Sequence, residues 1–145
     1  MRIAVGSDHR GLALKNKVID LVQTAGHAVD DLGVFTEDRA DYPLIARKVG
    51  QAVAAGQADR GILVCGTGIG MCIAANKVKG IRAAMAFNTF SACRARQHND
   101  ANVLCLGAEN DQTQVPEMVN VFLTCDFEGG RHTDRVKMIR EMESR

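Results

Sequence analysis

Five short apolar runs alternate with longer amphipathic stretches along this chain, and that alternation restricts the fold more than any other feature. Residues 2–5, 28–32, 61–65, 82–86 and 102–106 read as strands. Between them, residues 12–24 place Leu12, Leu14, Val18 and Ile19 on one apolar helical face, with Gly26 as a stop. Residues 42–55 carry Pro43 in a first helical turn and Gly56 beyond the end. Further helices are expected at about 70–77, 89–98, 115–123 and 133–143. Strands separated by helices imply βαβ units and a parallel sheet. The expected fold is therefore an α/β three-layer αβα sandwich, Rossmann-like, with a five-stranded parallel sheet. With no linker, repeat or low-complexity stretch, residues 1–145 are expected to form a single domain.

Composition narrows the classes of function. Hydrophobic residues are 46% and charged residues 24%, a balance that excludes wholesale disorder. A net charge of +1 gives no general attraction to nucleic acid or anionic membrane, so an anion must be caught by a local site. No apolar run approaches the roughly 20 residues that span a bilayer. The start, Met-Arg-Ile-Ala-Val-Gly-Ser-Asp-His, turns polar too early for a secretory signal. Five cysteines, an odd number in no CxxC or zinc pattern, read as free thiols in a reducing, cytoplasmic compartment. No His/Asp/Glu cluster shows metal-ligand spacing along the chain.

In open parallel sheets, ligands bind beyond the carboxyl ends of the strands. The residues there include Ser7-Asp8-His9, Phe87-Asn88, Gly107-Ala108-Glu109 and, most telling, Cys65-Gly66-Thr67-Gly68-Ile69-Gly70. Three alternating glycines let backbone N–H groups turn toward one point ahead of a helix, an anion cradle for a phosphate or a developing oxyanion. It is neither a Walker loop nor a GxGxxG fingerprint. As a bare turn, the loop weighs structure and function equally. Cys65 tips the balance, because a thiol at a helix start has its pKa drawn toward neutrality and makes a good general base. Cys72, Cys93, Cys105 and Cys125 read as small buried hydrophobes. His98, near a helix end, reads by pattern as a dipole partner. Arg131 and Arg135 share one face of the last helix, a geometry that suits a phosphate monoester, although pattern alone favours a solvated face.

Together these segments resemble the type B ribose-5-phosphate isomerase family, which also holds the galactose-6-phosphate isomerase subunits. The matching blocks are Gly6-Ser7-Asp8-His9-Arg10-Gly11, Asp41-Tyr42-Pro43, Cys65-Gly66-Thr67-Gly68-Ile69-Gly70, Ala74-Ala75-Asn76-Lys77, Arg96-Gln97-His98-Asn99-Asp100, Asn102-Val103-Leu104 and Glu128-Gly129-Gly130-Arg131-His132. They run nearly end to end in the family's order.

The resemblance implies an aldose–ketose isomerase without metal or nucleotide cofactor. In it, Cys65 moves a proton between C2 and C1 of an open-chain sugar phosphate. Gly66, Thr67, Gly68, Ile69 and Gly70 surround the enediolate, and His98 assists ring opening. Asp8 and Asn99 hold hydroxyls, while His9, Arg131 and Arg135 bind phosphate. It further implies a homodimer with sites at the interface, or a tetramer, in which His98 and Asn99 reach the partner's Cys65 pocket. One position departs from the pattern: Glu109 stands where many relatives carry Arg. Ribose 5-phosphate is the first expectation. The alternatives are a six-carbon substrate (allose or galactose 6-phosphate) and a non-catalytic phosphosugar-binding module.

Overall fold

A computed structural model describes residues 1–143. The strands are β1 (Arg2–Ser7), β2 (Ala28–Asp31), β3 (Arg60–Cys65), β4 (Ala83–Met85) and β5 (Val103–Gly107). The helices are α1 (Leu12–Thr24), α2 (Tyr42–Ala54), α3 (Ile69–Ala75), α4 (Thr89–Asn99), α5 (Val115–Thr124) and α6 (Arg131–Met142). All strand pairs are parallel, in the order β2-β1-β3-β5-β4. The expected five-stranded α/β sandwich is what forms.

Alternate residues of the central strands face opposite layers, as the two-residue period of a strand requires. Ile3, Val5, Ile62, Val64, Leu104 and Leu106 pack against α1, α4 and α5. Ala4, Leu63, Cys65, Val103 and Cys105 pack against α2 and α3. Burial on both faces makes these strands continuous apolar runs and keeps edges away from the core.

Three boundaries differ from expectation by two residues, for identifiable reasons. Strand β1 continues through Gly6 and Ser7, because Ser7 pairs in register with Val64 despite its polarity. Helix α3 stops at Ala75, two residues early. The Asn76 side chain there donates to the Ala83 carbonyl at 2.9 Å and accepts from the Ala83 N–H at 2.8 Å, pulling the chain toward β4. Helix α6 starts at Arg131, after Gly129 and Gly130, both at positive φ.

One expectation is overturned. Cys93 and Cys125 are not free thiols but form a disulfide, with Cα atoms 6.0 Å apart. Their separation of 32 residues hides the pairing from any local motif. Cys65, Cys72 and Cys105 are free. Among the described residues, no helix is long and apolar enough to cross a membrane.

Candidate active site

The carboxyl ends of β1 and β3 open a cavity of about 580 Å³. These neighbours straddle the place where the chain leaves β1 for the sheet edge at β2 and later returns to β3, a position where open α/β sheets bind ligands. Asp8, His9, Cys65, Gly66, Thr67, Ile69 and Gly70 all line it.

Cys65 is 5% exposed, and its sulfur accepts a hydrogen bond from the Gly68 N–H at 3.1 Å. That bond holds the sulfur against the glycine loop. It depends on Gly68 at φ +79°, a conformation that L side chains avoid. A Cβ at Gly68 would also collide with the Met85 sulfur and lie 2.9 Å from the Leu106 carbonyl carbon. Gly70 serves a different need: a Cβ there would lie 2.7 Å from the Tyr42 ring, so the missing side chain lets the phenol close one wall of the cavity. The β5 end braces the loop, with Ala108 N–H donating to the Cys65 carbonyl and Glu109 N–H to the Gly66 carbonyl, both at 2.8 Å.

Asp8 is buried, and its Oδ1 accepts from the Gly11 N–H at 3.0 Å at the start of α1. His9 Nδ1 accepts from the Ala40 N–H at 3.2 Å. A nitrogen that accepts carries no proton, so the neutral His9 ring bears its hydrogen on Nε2 and can donate to an anion.

His98, Asn99, Arg131 and Arg135 do not line this cavity. Topology dictates why. A crossover helix runs antiparallel to the strands it joins, so the end of α4 returns to the amino edge of the sheet. Eleven residues of α4 carry it about 16 Å along that path. An Asn88–Ser91 capping box fixes the start of α4, and half-buried and buried guanidiniums fix its end. Arg96 donates to the Ala101 carbonyl at 2.7 Å and to Asp100 at 3.0 Å, and Arg82 reaches Asp100 at 3.0 Å.

A second cluster forms around His98. Its ring stacks on His132 at 4.2 Å between centroids, with 14° between planes. Glu128 lies 3.6 Å from His98 and 3.8 Å from His132. The Arg94 guanidinium lies 3.2 Å from His98 Nε2. A guanidinium only donates, so Nε2 accepts and Nδ1 carries the ring proton. Burial holds the His132 pKa below its ordinary value, with the neighbouring His98, Arg131 and Arg135 acting in the same direction and Glu128 opposing. Ligand-type atoms of His98, Glu128 and His132 lie within 4.8 Å of one another, a grouping in space that spacing along the chain does not mark. Asn99 lines a separate cavity of about 720 Å³ beside α3 and α6.

Sequence reading passed over Arg10, Arg39 and Tyr42 on the cavity, and Glu128 and His132 against His98. Arg10, Tyr42, Glu128 and His132 lay within recognised blocks, but nothing local marked what they would face.

Cys65 thus stands at the sheet's carboxyl edge beside a glycine loop in an α/β sandwich, the constellation of a phosphosugar isomerase class. The chain belongs to the Ribose/Galactose Isomerase family, whose model matches residues 3–139. It is 44% identical to the ribose-5-phosphate isomerase B of Escherichia coli K12 over 145 residues, covering 99% of this chain and 97% of that one. Its structure matches that of Clostridium thermocellum ribose-5-phosphate isomerase B with a TM-score of 0.97 at 45% identity, over 99% of this chain and 98% of the other. It likewise matches Mycoplasma genitalium ribose-5-phosphate isomerase B, solved with bound ribulose 5-phosphate, with a TM-score of 0.94 at 42% identity, over 99% and 96% of the two chains.

Proposed function

We propose that this protein interconverts ribose 5-phosphate and ribulose 5-phosphate in the cytoplasm, with Cys65 as the base. The observation that carries this reading is the Cys65 sulfur, buried at the edge of a cavity and receiving the Gly68 N–H. The relatives' activity and the ribulose 5-phosphate bound by the Mycoplasma protein support the substrate.

The Cys65 thiolate takes the proton from C2 of the open-chain aldose. The C2–H electron pair forms the C1=C2 bond, and the carbonyl pair moves onto O1. Backbone N–H groups of the 66–70 loop and Thr67 stabilise the resulting enediolate, whose charge exists only around the transition state. A proton then passes from O2–H to O1. The O2 electron pair forms the C2 ketone, and the C1=C2 pair takes the proton back from the Cys65 S–H at C1. His98 transfers a proton during opening of the furanose ring. Asp8 and Asn99 hold hydroxyls, and His9, Arg131 and Arg135 bind the phosphate.

Because one chain holds these groups at opposite sheet edges, the working unit is a homodimer. Each Cys65 cavity takes His98, Asn99, Arg131 and Arg135 from the other copy. Exposed Ile69 and Ile73 beside the cavity offer apolar surface for that contact. The deciding experiment is turnover of ribose 5-phosphate with EDTA present, set against allose 6-phosphate and galactose 6-phosphate. Turnover fastest on ribose 5-phosphate and insensitive to EDTA supports the reading. Ligand binding without turnover on any of the three overturns it.

A further inference from the structure

We infer that Arg39 is the guanidinium that meets the substrate phosphate on the Cys65 side of the site, and so helps determine specificity for phosphorylated sugars. This rests on the isomerase reading above. A phosphate monoester carries a charge of about −1.5 to −2 near neutral pH and is best held by forked N–H donors. Two guanidiniums line the Cys65 cavity, Arg10 and Arg39. Arg10 is committed: its Nη1 lies 2.8 Å from Glu109 Oε1. That pair lies against Gly66, where a Cβ would sit 2.9 Å from the Glu109 oxygen and 3.3 Å from Arg10 Cδ. Glu109 therefore neutralises Arg10 and places a carboxylate where a second anion is unwelcome.

Arg39 forms no ion pair with any carboxylate among the described residues. Its neighbour Asp38 is engaged by the Thr36 hydroxyl at 3.1 Å. Its backbone is held beside His9, because the next residue, Ala40, donates its N–H to His9 Nδ1. The loop leading to it is anchored by buried Lys15, whose ammonium donates to Asp31 at 2.7 and 2.8 Å and to the Val34 carbonyl at 2.6 Å. Arg39 and His9 thus line the same cavity, and together they offer N–H donors of the kind an anion needs. The acidic residue at 109 leaves Arg39 as the cation this chain itself contributes.

The test uses the intact protein with R39Q, R39K and R10Q. The readouts are kcat and KM for ribose 5-phosphate, the inhibition constant of inorganic phosphate, and phosphate protection of Cys65 from iodoacetamide. R39Q should raise KM and the phosphate constant together, about 10- to 150-fold, the range for one charge-assisted contact. The loss should fall on KM rather than kcat. R39K should recover part of it, and R10Q should shift both constants less than R39Q does. An unchanged phosphate constant in R39Q, a loss confined to kcat, or a larger effect of R10Q overturns the assignment. Cys65 protection needs no turnover, so it separates the two claims. Arg39-dependent protection in an enzyme without isomerase activity supports Arg39 and rejects the isomerase reading. Protection that is absent from the parent protein, or equal in R39Q, rejects Arg39.

Discussion

Cys65 and Cys72 lie seven residues apart, yet their surroundings give them different chemistry. Cys65 faces the cavity and receives a backbone N–H. Cys65→Ala should cut turnover by about 10²- to 10⁴-fold, the contribution of a general base, while isothermal titration still detects ribose 5-phosphate binding. Cys65→Ser should fare little better, since a hydroxyl hardly ionises near neutrality. Full activity in either would remove Cys65 from the mechanism. The half-buried Cys72 has its pKa lowered to about 7, chiefly by a hydrogen bond from Cys105, with burial opposing and the Met85 backbone assisting. Cys105, fully buried, is pushed the other way by the same bond and by burial, so it keeps the proton. Thiolate is the reactive form. In a Cys65→Ala background, iodoacetamide labelling of Cys72, followed by mass spectrometry, should rise as pH climbs through about 7 and level off above it. Inert burial, expected from the sequence, would instead leave Cys72 unlabelled at pH 8.

Two elements carry most of the local constraint, the 66–70 loop and helix α4. Gly68→Ala meets both a positive φ and a crowded wall at Met85 and Leu106. Strain and overpacking of this kind cost about 2 kcal/mol or more, so urea denaturation should show a clear loss of stability together with lost activity. An unchanged midpoint would mean that the loop relaxes freely. Helix α4 is tied by Cys93 to Cys125, just beyond α5, and so to the segment that carries Glu128. Closing a loop of this length contributes about 4 kcal/mol under non-reducing conditions. Cys93→Ser should lower stability by that order, and dithiothreitol should bring the parent protein down to the variant's level. Equal stability of the two without reductant would show that the bond contributes nothing.

At the scale of the whole molecule, the separation of Cys65 from His98 makes an arithmetic prediction. Cys65→Ala and His98→Ala should each be nearly inactive. Unfolded together and refolded, random pairing makes about half the dimers hybrids in a two-fold assembly. Each hybrid then holds one doubly damaged site and one with both native residues, so activity should return to about a quarter of the parent value. Sites built within single chains would give no recovery, because each would still carry one lesion. Sedimentation that finds an active monomer would end the shared-site reading outright.

The alternation of apolar runs and amphipathic stretches determined the layered α/β fold, since periodicity reports which faces must be buried. Local chemistry determined the loop after β3, because a thiol and alternating glycines constrain only a few residues in succession. Asp8 and His9 were legible for the same reason: they follow a recognisable strand. Periodicity does not say which distant elements meet. Only the tertiary structure joined Cys93 to Cys125, stacked His132 on His98, paired Cys72 with Cys105 and set Arg39 beside His9. It also divided the candidate residues between two edges of one sheet, because a helix that links parallel strands must run back against them. From the residues alone His98 looked like a helix-end partner, and the direction of α4 places it out of reach of its own chain's Cys65 cavity.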